Sequence, residues 1–430
     1  MFKFNTRFTL FYEEATLIAV GALLAFPVLP VLPNSYVIGI ITGFLLLGIF
    51  IKPIQRKMYR FQWPWLLSSI YIVLVLSLLY TQDFQEGIYA LEKRAALVIF
   101  PLIFFLRRGK MNQRTVHIYE NIFIAIIFLF FTWVNIKIVL DIQNYIREES
   151  LVNSWQGALQ NDLFSFFYRT RFEKISNIHP TYAGIFALFS AGILCVRMID
   201  GFYSSRKAKT VVIFLIFIQL GFGFFIAAKG PLLAFVVAFV TVAFVRLKRS
   251  RFFLIAGSLL ILFITSVLLI PPLKDRAKEL LVINKEDVVS SVSIRKVIYK
   301  TSWSLAKDEG LFGVGVGDVQ NHLDKRYQKY DIEEIREDSL NTHNEYMNML
   351  LSAGLLGVFT MILTLGLPLF ESIKKKEANF IFFLSFMMIV FLFENILSRQ
   401  KGVLFFALFY LIYYYYLIDK ETCRQDIQST

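Results

Sequence analysis

A series of long apolar segments constrains this chain more than any other feature of its sequence. A helix needs about 20 mostly apolar residues to cross a membrane. Twelve segments near that length can be marked, at 15–32, 35–51, 62–80, 87–106, 116–140, 180–199, 210–227, 231–245, 252–270, 345–369, 379–394 and 402–418. Of the 430 residues, 57% are hydrophobic and 18% are charged, whereas soluble proteins average about 45–50% apolar and about 25% charged residues. The sequence therefore predicts an all-α polytopic membrane protein with about 12 transmembrane helices.

The net charge of +13 would suggest nucleic-acid binding in a soluble chain, but here the basic residues follow a membrane topology. Of the 45 Lys and Arg residues, 23 lie in the two tails and in the alternate loops on their side, and the short loops opposite contain only Lys229, Arg399 and Lys401. The positive-inside rule then places both termini in the cytoplasm and leaves no reason to expect a nucleic-acid partner. The predicted regions are 1–140 with spans 1–5, 141–179 as a first periplasmic loop, 180–270 with spans 6–9, 271–344 as a large periplasmic loop that we expect to be helical, and 345–430 with spans 10–12 and a cytoplasmic tail.

Lys93 and Arg94 fall inside the predicted fourth span, near its outer end. Charge within a membrane is costly and usually faces a cavity, although long basic side chains can also reach outward to the headgroups. Both interpretations stay open: the pair either lines a cationic vestibule at the outer membrane face or snorkels.

The segment AAKGPLLA connects spans 7 and 8 and contains Lys229. Pro231 is typical of the first turn of a helix, so Lys229 is predicted beside a helix N-terminus, whose free N–H groups and dipole attract anions. The predicted span 231–245 is only about 22 Å long at about 1.5 Å per residue, which suggests that this turn lies below the membrane surface. The pattern indicates either a phosphate site at membrane depth or a tight turn whose lysine snorkels.

Residues 288–308 have helical spacing, with Arg295 on or beside the apolar stripe. An arginine in this position either forms a structural ion pair or binds a phosphate through its two-pronged guanidinium. The glycine-rich string GLFGVGVGD, residues 310–318, lacks a Gly-Lys-Ser/Thr sequence and is predicted on the outer side of the membrane, so we expect no nucleotide. Only Cys195 and Cys423 occur, and no Cys/His spacing indicates a metal site.

Two histidines are predicted near the outer membrane boundary. His179 precedes Pro180 and either caps the sixth span or lines the vestibule. In the string NTHNEYMNML, Thr342 and Glu345 have the spacing of a capping box, which would place His343 in the first turn of span 10. The positive helix end favours a neutral imidazole there, and a neutral base beside anion-binding cations suits attack on a phosphate-activated carbon.

These motifs resemble those of the bacterial O-antigen ligase family, which also includes O-antigen polymerases. THNEYMNMLLSAGLLGVF, residues 342–359, is similar to the family's His-Asn-x-x-Leu signature with its following Gly-x-x-Gly, and IRKVIYKTSWSLAKDEGLFGVGVGD, AAKGPLLA and ENILSRQKG resemble three further elements. The resemblance implies a GT-C-like integral membrane glycosyltransferase of the bacterial inner membrane. Such an enzyme needs neither a metal nor another cofactor, and it acts at the periplasmic face on glycans carried by undecaprenyl pyrophosphate.

The resemblance also implies roles for individual residues. His343 matches the family's essential histidine, which would activate the acceptor hydroxyl, and Arg295 matches an arginine that would hold the pyrophosphate. Lys229 stands where the family usually has arginine. Its ammonium group offers a single point charge, whereas a guanidinium can donate two parallel hydrogen bonds to a phosphate. The remaining vestibule candidates are His179, Arg169 and Arg171, which resemble a first-loop basic motif, together with Lys93, Arg94, Arg399 and Lys401.

The first functional hypothesis is an O-antigen ligase that transfers the glycan to a sugar hydroxyl of lipid A-core by a single inverting displacement. The alternative within the family is a polymerase that uses a lipid-linked repeat as acceptor. A transporter of a lipid-linked glycan would also need a cationic cavity, but polar residues would then extend through the membrane midplane. An outer-face binding protein would need no histidine at a helix start beside two cations.

Overall fold

The computed structural model describes residues 6–51, 64–107, 110–149, 162–226, 229–254, 257, 291–330 and 339–428, and these parts of the chain contain helices and no β-strand. The helices are α1 (Thr6–Ala22), α2 (Val31–Ile51), α3 (Pro64–Ser77), α4 (Phe84–Arg94), α5 (Ala96–Leu106), α6 (Gln113–Glu149), α7 (Asp162–Ser176), α8 (Pro180–Ile199), α9 (Arg206–Phe225), α10 (Lys229–Arg246), α11 (Ser291–Glu309), α12 (Val319–Tyr327), α13 (Glu345–Lys375), α14 (Ala378–Val390) and α15 (Gln400–Gln428).

Six helices in the described ranges are long and apolar enough to cross a membrane, and three more are shorter apolar helices. The six are α6, α8, α9, α10, α13 and α15, and the three are α2, α3 and α14. These nine coincide with nine of the twelve predicted spans. The chain is therefore a multi-pass membrane protein, and the count of twelve stays a prediction because most of the span predicted at 252–270 lies outside the described residues.

The structure differs from the predicted spans in two places that matter for the site. The span predicted at 87–106 is divided into α4 and α5 at Ala95, and the first of these two helices is polar enough to lie at a surface. Helix α10 begins at Lys229 and has 18 residues, or about 27 Å. The prediction of an unusually short eighth span is therefore wrong, whereas Lys229 does lie at the helix N-terminus with Pro231 in the first turn.

Helices α8 and α15 form the centre of the bundle: most side chains of α8 are buried, and so are all residues at 402–415 of α15. Their contact is made by aromatic rings, with Phe189 of α8 only 4.7 Å from Phe409 of α15 between ring centroids. The tyrosine run that begins at Tyr413 is packed inside the bundle along with these rings. One end of these two helices adjoins the segment between α14 and α15, and the other end contributes Arg197 and Tyr413 to a buried ionic network.

The ionic network lies at the end of the bundle where the cytoplasmic loops are predicted. The Glu120 carboxylate is fully buried, and its Oε2 accepts hydrogen bonds from Arg197 Nε and Nη2 at 3.1 and 2.6 Å. Its Oε1 accepts from Asn379 Nδ2 at 2.6 Å and from the Tyr413 hydroxyl at 2.9 Å. One carboxylate therefore ties α6, α8, α14 and α15 together.

Helix α13 is interrupted at Ala353 and Gly354, where the backbone leaves helical geometry. Gly354 has φ +64°, a conformation that glycine adopts without a steric penalty. The backbone groups released by the break pair with the segment 310–318, which we call the glycine loop. Leu355 N donates to Leu311 O at 3.2 Å, and Val314 N donates to Leu351 O at 2.7 Å. The glycine loop is thus a tightly held segment that lies in the break of a membrane-spanning helix.

Candidate functional site

The site is organised by the segment between α14 and α15, residues 391–399, which we call the linker. Helix α14 ends at Val390, and the linker contains one short 3-10 turn, Ile396–Ser398. Three other parts of the chain bind its exposed backbone. Its Phe391 carbonyl accepts from Glu345 N at 2.8 Å, its Leu392 carbonyl from the Tyr299 hydroxyl at 3.2 Å, and its Asn395 carbonyl from the Tyr182 hydroxyl at 3.1 Å. Helices α13, α11 and α8 therefore meet at the linker.

His343 faces Glu394 of the linker. The His343 Nδ1 and Glu394 Oε2 atoms are 3.8 Å apart, and the Glu394 side chain is only 10% exposed. Nδ1 is buried and forms no hydrogen bond to the described residues. The imidazole therefore presents its Nδ1 side to the Glu394 carboxylate.

The predicted capping box is wrong. The N-cap of α13 is Asn344, whose side chain accepts from Met347 N at 3.0 Å. Thr342 instead donates to Asn395 Oδ1 at 3.1 Å, and the buried Glu345 carboxylate accepts from Leu397 N at 2.7 Å. Both side chains are thus used by the linker, and His343 precedes the helix instead of lying in its first turn. It has φ +45°, which is uncommon for a residue other than glycine.

The Glu394 carboxyl stands among positive charges. Burial alone would raise its pKa, but contact with His343 and the charges of His343, His179 and Arg399 outweigh burial and hold the pKa below its ordinary value. The guanidinium of Arg399 also lies over the Tyr182 ring, 5.8 Å from its centroid. Glu394 is therefore ionised at neutral pH and able to stabilise a protonated imidazole.

The first-loop candidates divide into two groups. His179 is within electrostatic range of Arg399, Glu394 and Arg169, and Arg169 is within range of Arg295 on α11. Arg171 points elsewhere, since its Nη1 is paired with Asp141 Oδ2 of α6 at 2.9 Å. His179 and Arg169 thus belong to the group around the linker, and Arg171 lies beside it.

Lys229 and Arg295 stand on helices, α10 and α11, that both contact the linker. A Cβ placed on Gly230, next to Lys229, would lie 2.8 Å from Phe393 Cβ, so the first turn of α10 is in close contact with the linker. On α11, Tyr299 bonds to the linker one turn after Arg295. Both cations are exposed, and each lies within about one helical turn of a residue that contacts the linker, which His343 also faces.

The remaining vestibule candidates have mainly structural contacts. Arg94 is buried and donates to Ser398 Oγ at 3.1 Å and to Ala90 O at 2.8 Å. Lys401 donates to the carbonyls of Pro27 and Asn177 at 3.0 and 3.4 Å. Lys93 lies 3.6 Å from the centroid of the Tyr89 ring. Arg94 and Lys401 therefore both hold the C-terminal end of the linker region, and Lys93 lies within electrostatic range of Arg399.

Sequence reasoning missed Glu394 and the two tyrosines that bind the linker, and it assigned Glu345 to a capping box. Glu394 closes the apolar run predicted at 379–394. Charge within a membrane span is costly and usually faces a cavity, so the reasoning applied to Lys93 and Arg94 also applies to Glu394. The tyrosines carried no signal, because one among many aromatic residues of a membrane protein is not distinctive. In the described parts of the chain, no group of three or more His, Cys, Asp or Glu side chains is arranged to hold a metal ion.

The surroundings of His179 predict a dependence of stability on pH. Burial first, and then the charge of Arg399, lowers the pKa of His179 below its ordinary value. The unfolded chain therefore binds a proton at a higher pH than the folded protein does, so the free energy of unfolding falls as the pH drops below about 6.5. We expect His179→Gln to reduce this fall, as measured by unfolding midpoints in detergent between about pH 7 and pH 5. Parallel pH profiles for the two proteins would contradict the prediction.

The comparison with protein families covers part of this site. Residues 213–362 match a family model described as O-antigen ligase. The match includes Lys229, Arg295 and His343, together with the glycine loop and the break in α13, while Glu394 and Arg399 follow it in the chain. No curated protein matches the sequence.

Proposed function

Since the chain carries an O-antigen ligase domain at residues 213–362 and belongs to that family, we propose that it transfers a glycan from undecaprenyl pyrophosphate to a sugar hydroxyl of lipid A-core. We place this reaction at the periplasmic face of the bacterial inner membrane, in a GT-C-like protein of twelve spans with both termini in the cytoplasm. The enzyme class is a membrane glycosyltransferase of the ligase or polymerase type. The observation that carries the proposal is the convergence of His343, Glu394 and several cations at the linker.

In the proposed reaction, His343 Nε2 takes the proton of an acceptor hydroxyl as its oxygen attacks the anomeric carbon. A new glycosidic C–O bond forms on one face of the sugar, and the C–O bond to the pyrophosphate breaks on the other face. The anomeric configuration is therefore inverted. The bonding electrons leave with undecaprenyl pyrophosphate, so the donor supplies the driving force and neither a nucleotide nor a metal takes part.

Each group at the linker has a proposed task in this step. Glu394 is a positioning residue: it keeps a proton on Nδ1, leaves the Nε2 lone pair free and stabilises the imidazolium that forms. Arg295 and Lys229 hold the pyrophosphate, and Arg399 and Arg169 add to the positive field around the leaving group. Stabilising the charge that develops on a leaving group is commonly a large contribution to catalysis.

Reconstitution tests the proposed reaction directly. The purified protein in nanodiscs is given a lipid-linked glycan and lipid A-core, and released undecaprenyl pyrophosphate and glycosylated lipid A-core are measured. Formation of both products without added metal or nucleotide is the expected result. A glycan that crosses the bilayer of a proteoliposome unchanged would instead indicate a transporter.

The alternative acceptor, a second lipid-linked repeat, is distinguished in the cell. Deleting a ligase removes all long-chain and single-repeat bands of lipopolysaccharide, because nothing is joined to lipid A-core. Deleting a polymerase leaves the single-repeat band. We expect the first pattern, and the second would assign the same chemistry to a polymerase.

Arg295→Ala is expected to weaken donor binding. One charge-assisted hydrogen bond contributes about 1.5–3 kcal/mol, which corresponds to a rise in the donor KM of about 10- to 100-fold. Lys300→Ala, which removes an exposed cation one turn and a half further along α11, is the matched control and should change the donor KM little. Equal effects of the two substitutions would mean that Arg295 acts only through general charge.

A further inference from the structure

The glycine loop carries two large apolar side chains that the protein leaves uncovered. Leu311 is 64% exposed and Phe312 is 73% exposed. Their backbone is nonetheless fixed, because Leu311 O accepts from Leu355 N at 3.2 Å and Phe312 O accepts from the Tyr80 hydroxyl at 2.6 Å. The exposure of these side chains is therefore built into the fold.

Leu311 and Phe312 lie where two apolar faces meet. Exposed residues recur at helical spacing along α3 and the turn that follows it, namely Trp65, Ile72, Leu76 and Leu79. A second set recurs along α13 after its break, namely Leu355, Phe359 and Ile362. Uncovered apolar stripes on membrane-crossing helices are the surfaces that contact lipid. The hydrogen bonds from Tyr80 and Leu355 attach the glycine loop to both stripes at one end, so its apolar side chains continue an existing lipid-facing surface.

Charged residues mark the boundary on either side of this pair. Lys307, Asp308 and Glu309 are exposed or half-buried at the end of α11, immediately before the loop. After it, the Asp318 carboxylate is turned inward and accepts from Gln82 N and Asp83 N at 2.6 and 2.9 Å. The only large side chains that the loop presents outward are thus apolar, and the nearest outward charges in the chain, 307–309, come immediately before the loop.

We propose that Leu311 and Phe312 insert into the hydrocarbon of the membrane leaflet on the side of His343, and so anchor the large loop in the bilayer. The partner is the acyl chains of the surrounding lipid, because the pair extends the lipid-facing stripes of α3 and α13. The anchor fixes the depth of the loop that also carries Arg295. This inference stands on exposure and backbone contacts and does not depend on the reaction proposed above.

Spin labels at single cysteines test the anchor in nanodiscs of the full chain. In a background with Cys195→Ala and Cys423→Ser, labels are placed by Phe312→Cys, by Phe359→Cys as the lipid reference and by Lys325→Cys as the water reference. The label at position 312 should match the lipid reference, with oxygen accessibility several-fold higher relative to water-soluble nickel chelate than at position 325. A label at 312 that is open to the nickel chelate overturns the proposal, and so does one shielded from both reagents, since protein would then cover the site.

A second measurement leaves both cysteines in place. Phe312→p-benzoylphenylalanine keeps an aromatic side chain, and illumination in nanodiscs should add the mass of one phospholipid to the chain. The same residue at position 325 should give no lipid adduct. Cross-linked dimers without a lipid adduct at position 312 would show that a second copy occupies the surface, and would overturn the proposal.

Discussion

Replacing His343 by alanine is expected to lower the turnover number of glycan transfer by about 10²- to 10⁴-fold, the range that a positioned general acid or base contributes. Donor binding should persist, because the pyrophosphate is held by cations and not by the imidazole. Release of undecaprenyl pyrophosphate measures turnover, and cosedimentation of nanodiscs with labelled donor glycan measures binding. Loss of turnover with binding retained would place His343 in the chemical step.

The control for this variant is His322→Ala, which removes another histidine of the same outer region. The His322 ring is bonded within its own helix, with Nδ1 3.0 Å from Asp318 O, so its loss should leave turnover within a few-fold of wild type. Glu394→Gln keeps the side-chain volume and removes the charge, and it should give a smaller loss in turnover than His343→Ala with little change in the donor KM. If His343→Ala retained wild-type turnover, the assignment of the base would fail.

Removing the Glu120 side chain is expected to cause the largest loss of stability, about 3–5 kcal/mol for Glu120→Ala. The reason is that the Arg197 guanidinium, whose side chain is only 4% exposed, would be left buried without its carboxylate. Asn379 and Tyr413 would lose an acceptor at the same time. The midpoint of unfolding by SDS in mixed micelles measures the effect.

Two further variants make the cause of this loss identifiable. Glu371→Ala removes a half-buried carboxylate, 3.5 Å from Lys375 one turn along the same helix, and should cost no more than about 0.5 kcal/mol. Combining Glu120→Leu with Arg197→Leu removes both charges, and replacing a buried ion pair by apolar side chains is often neutral. The double variant should recover most of the lost stability. If it were as unstable as Glu120→Ala, the unpaired charge would not be the cause.

The apolar runs predicted nine of the helices because length and composition alone decide whether a segment can cross a membrane. The break in α13 could not be predicted in the same way. Gly354 has the sequence context of an ordinary small residue in a span, and its conformation depends on Leu311 and Val314, which come about 40 residues earlier in the chain. The division at Ala95 was missed although Lys93 and Arg94 stand directly before it, because both interpretations of these charges kept them within one continuous span.

The site was predictable in so far as its residues carry charge at the end of a span. His343, Arg295 and Lys229 stood out in this way; His343 faces the linker, and the other two stand on helices that contact it, while their roles stay predictions. The local pattern failed where tertiary contacts overrode it. Thr342 and Glu345 have capping-box spacing, but both side chains bond to the linker about 50 residues later, and Asn344 caps the helix instead. The importance of Glu394 depends on which histidines face it, which only the fold decides.

The Glu120 carboxylate has a consequence for how the chain is made. Its partners follow in the order Arg197, Asn379 and Tyr413, so α6 is synthesised long before the carboxylate can be fully satisfied. An unpaired charge in a membrane helix is costly, and pairing with Arg197 becomes available only when α8 has been produced. The remaining two bonds form last, when α14 and α15 arrive. The N-terminal half of the protein is therefore incomplete as a folding unit. A ribosome that stops before residue 379 leaves the Glu120 carboxylate without its hydrogen bonds from Asn379 and Tyr413.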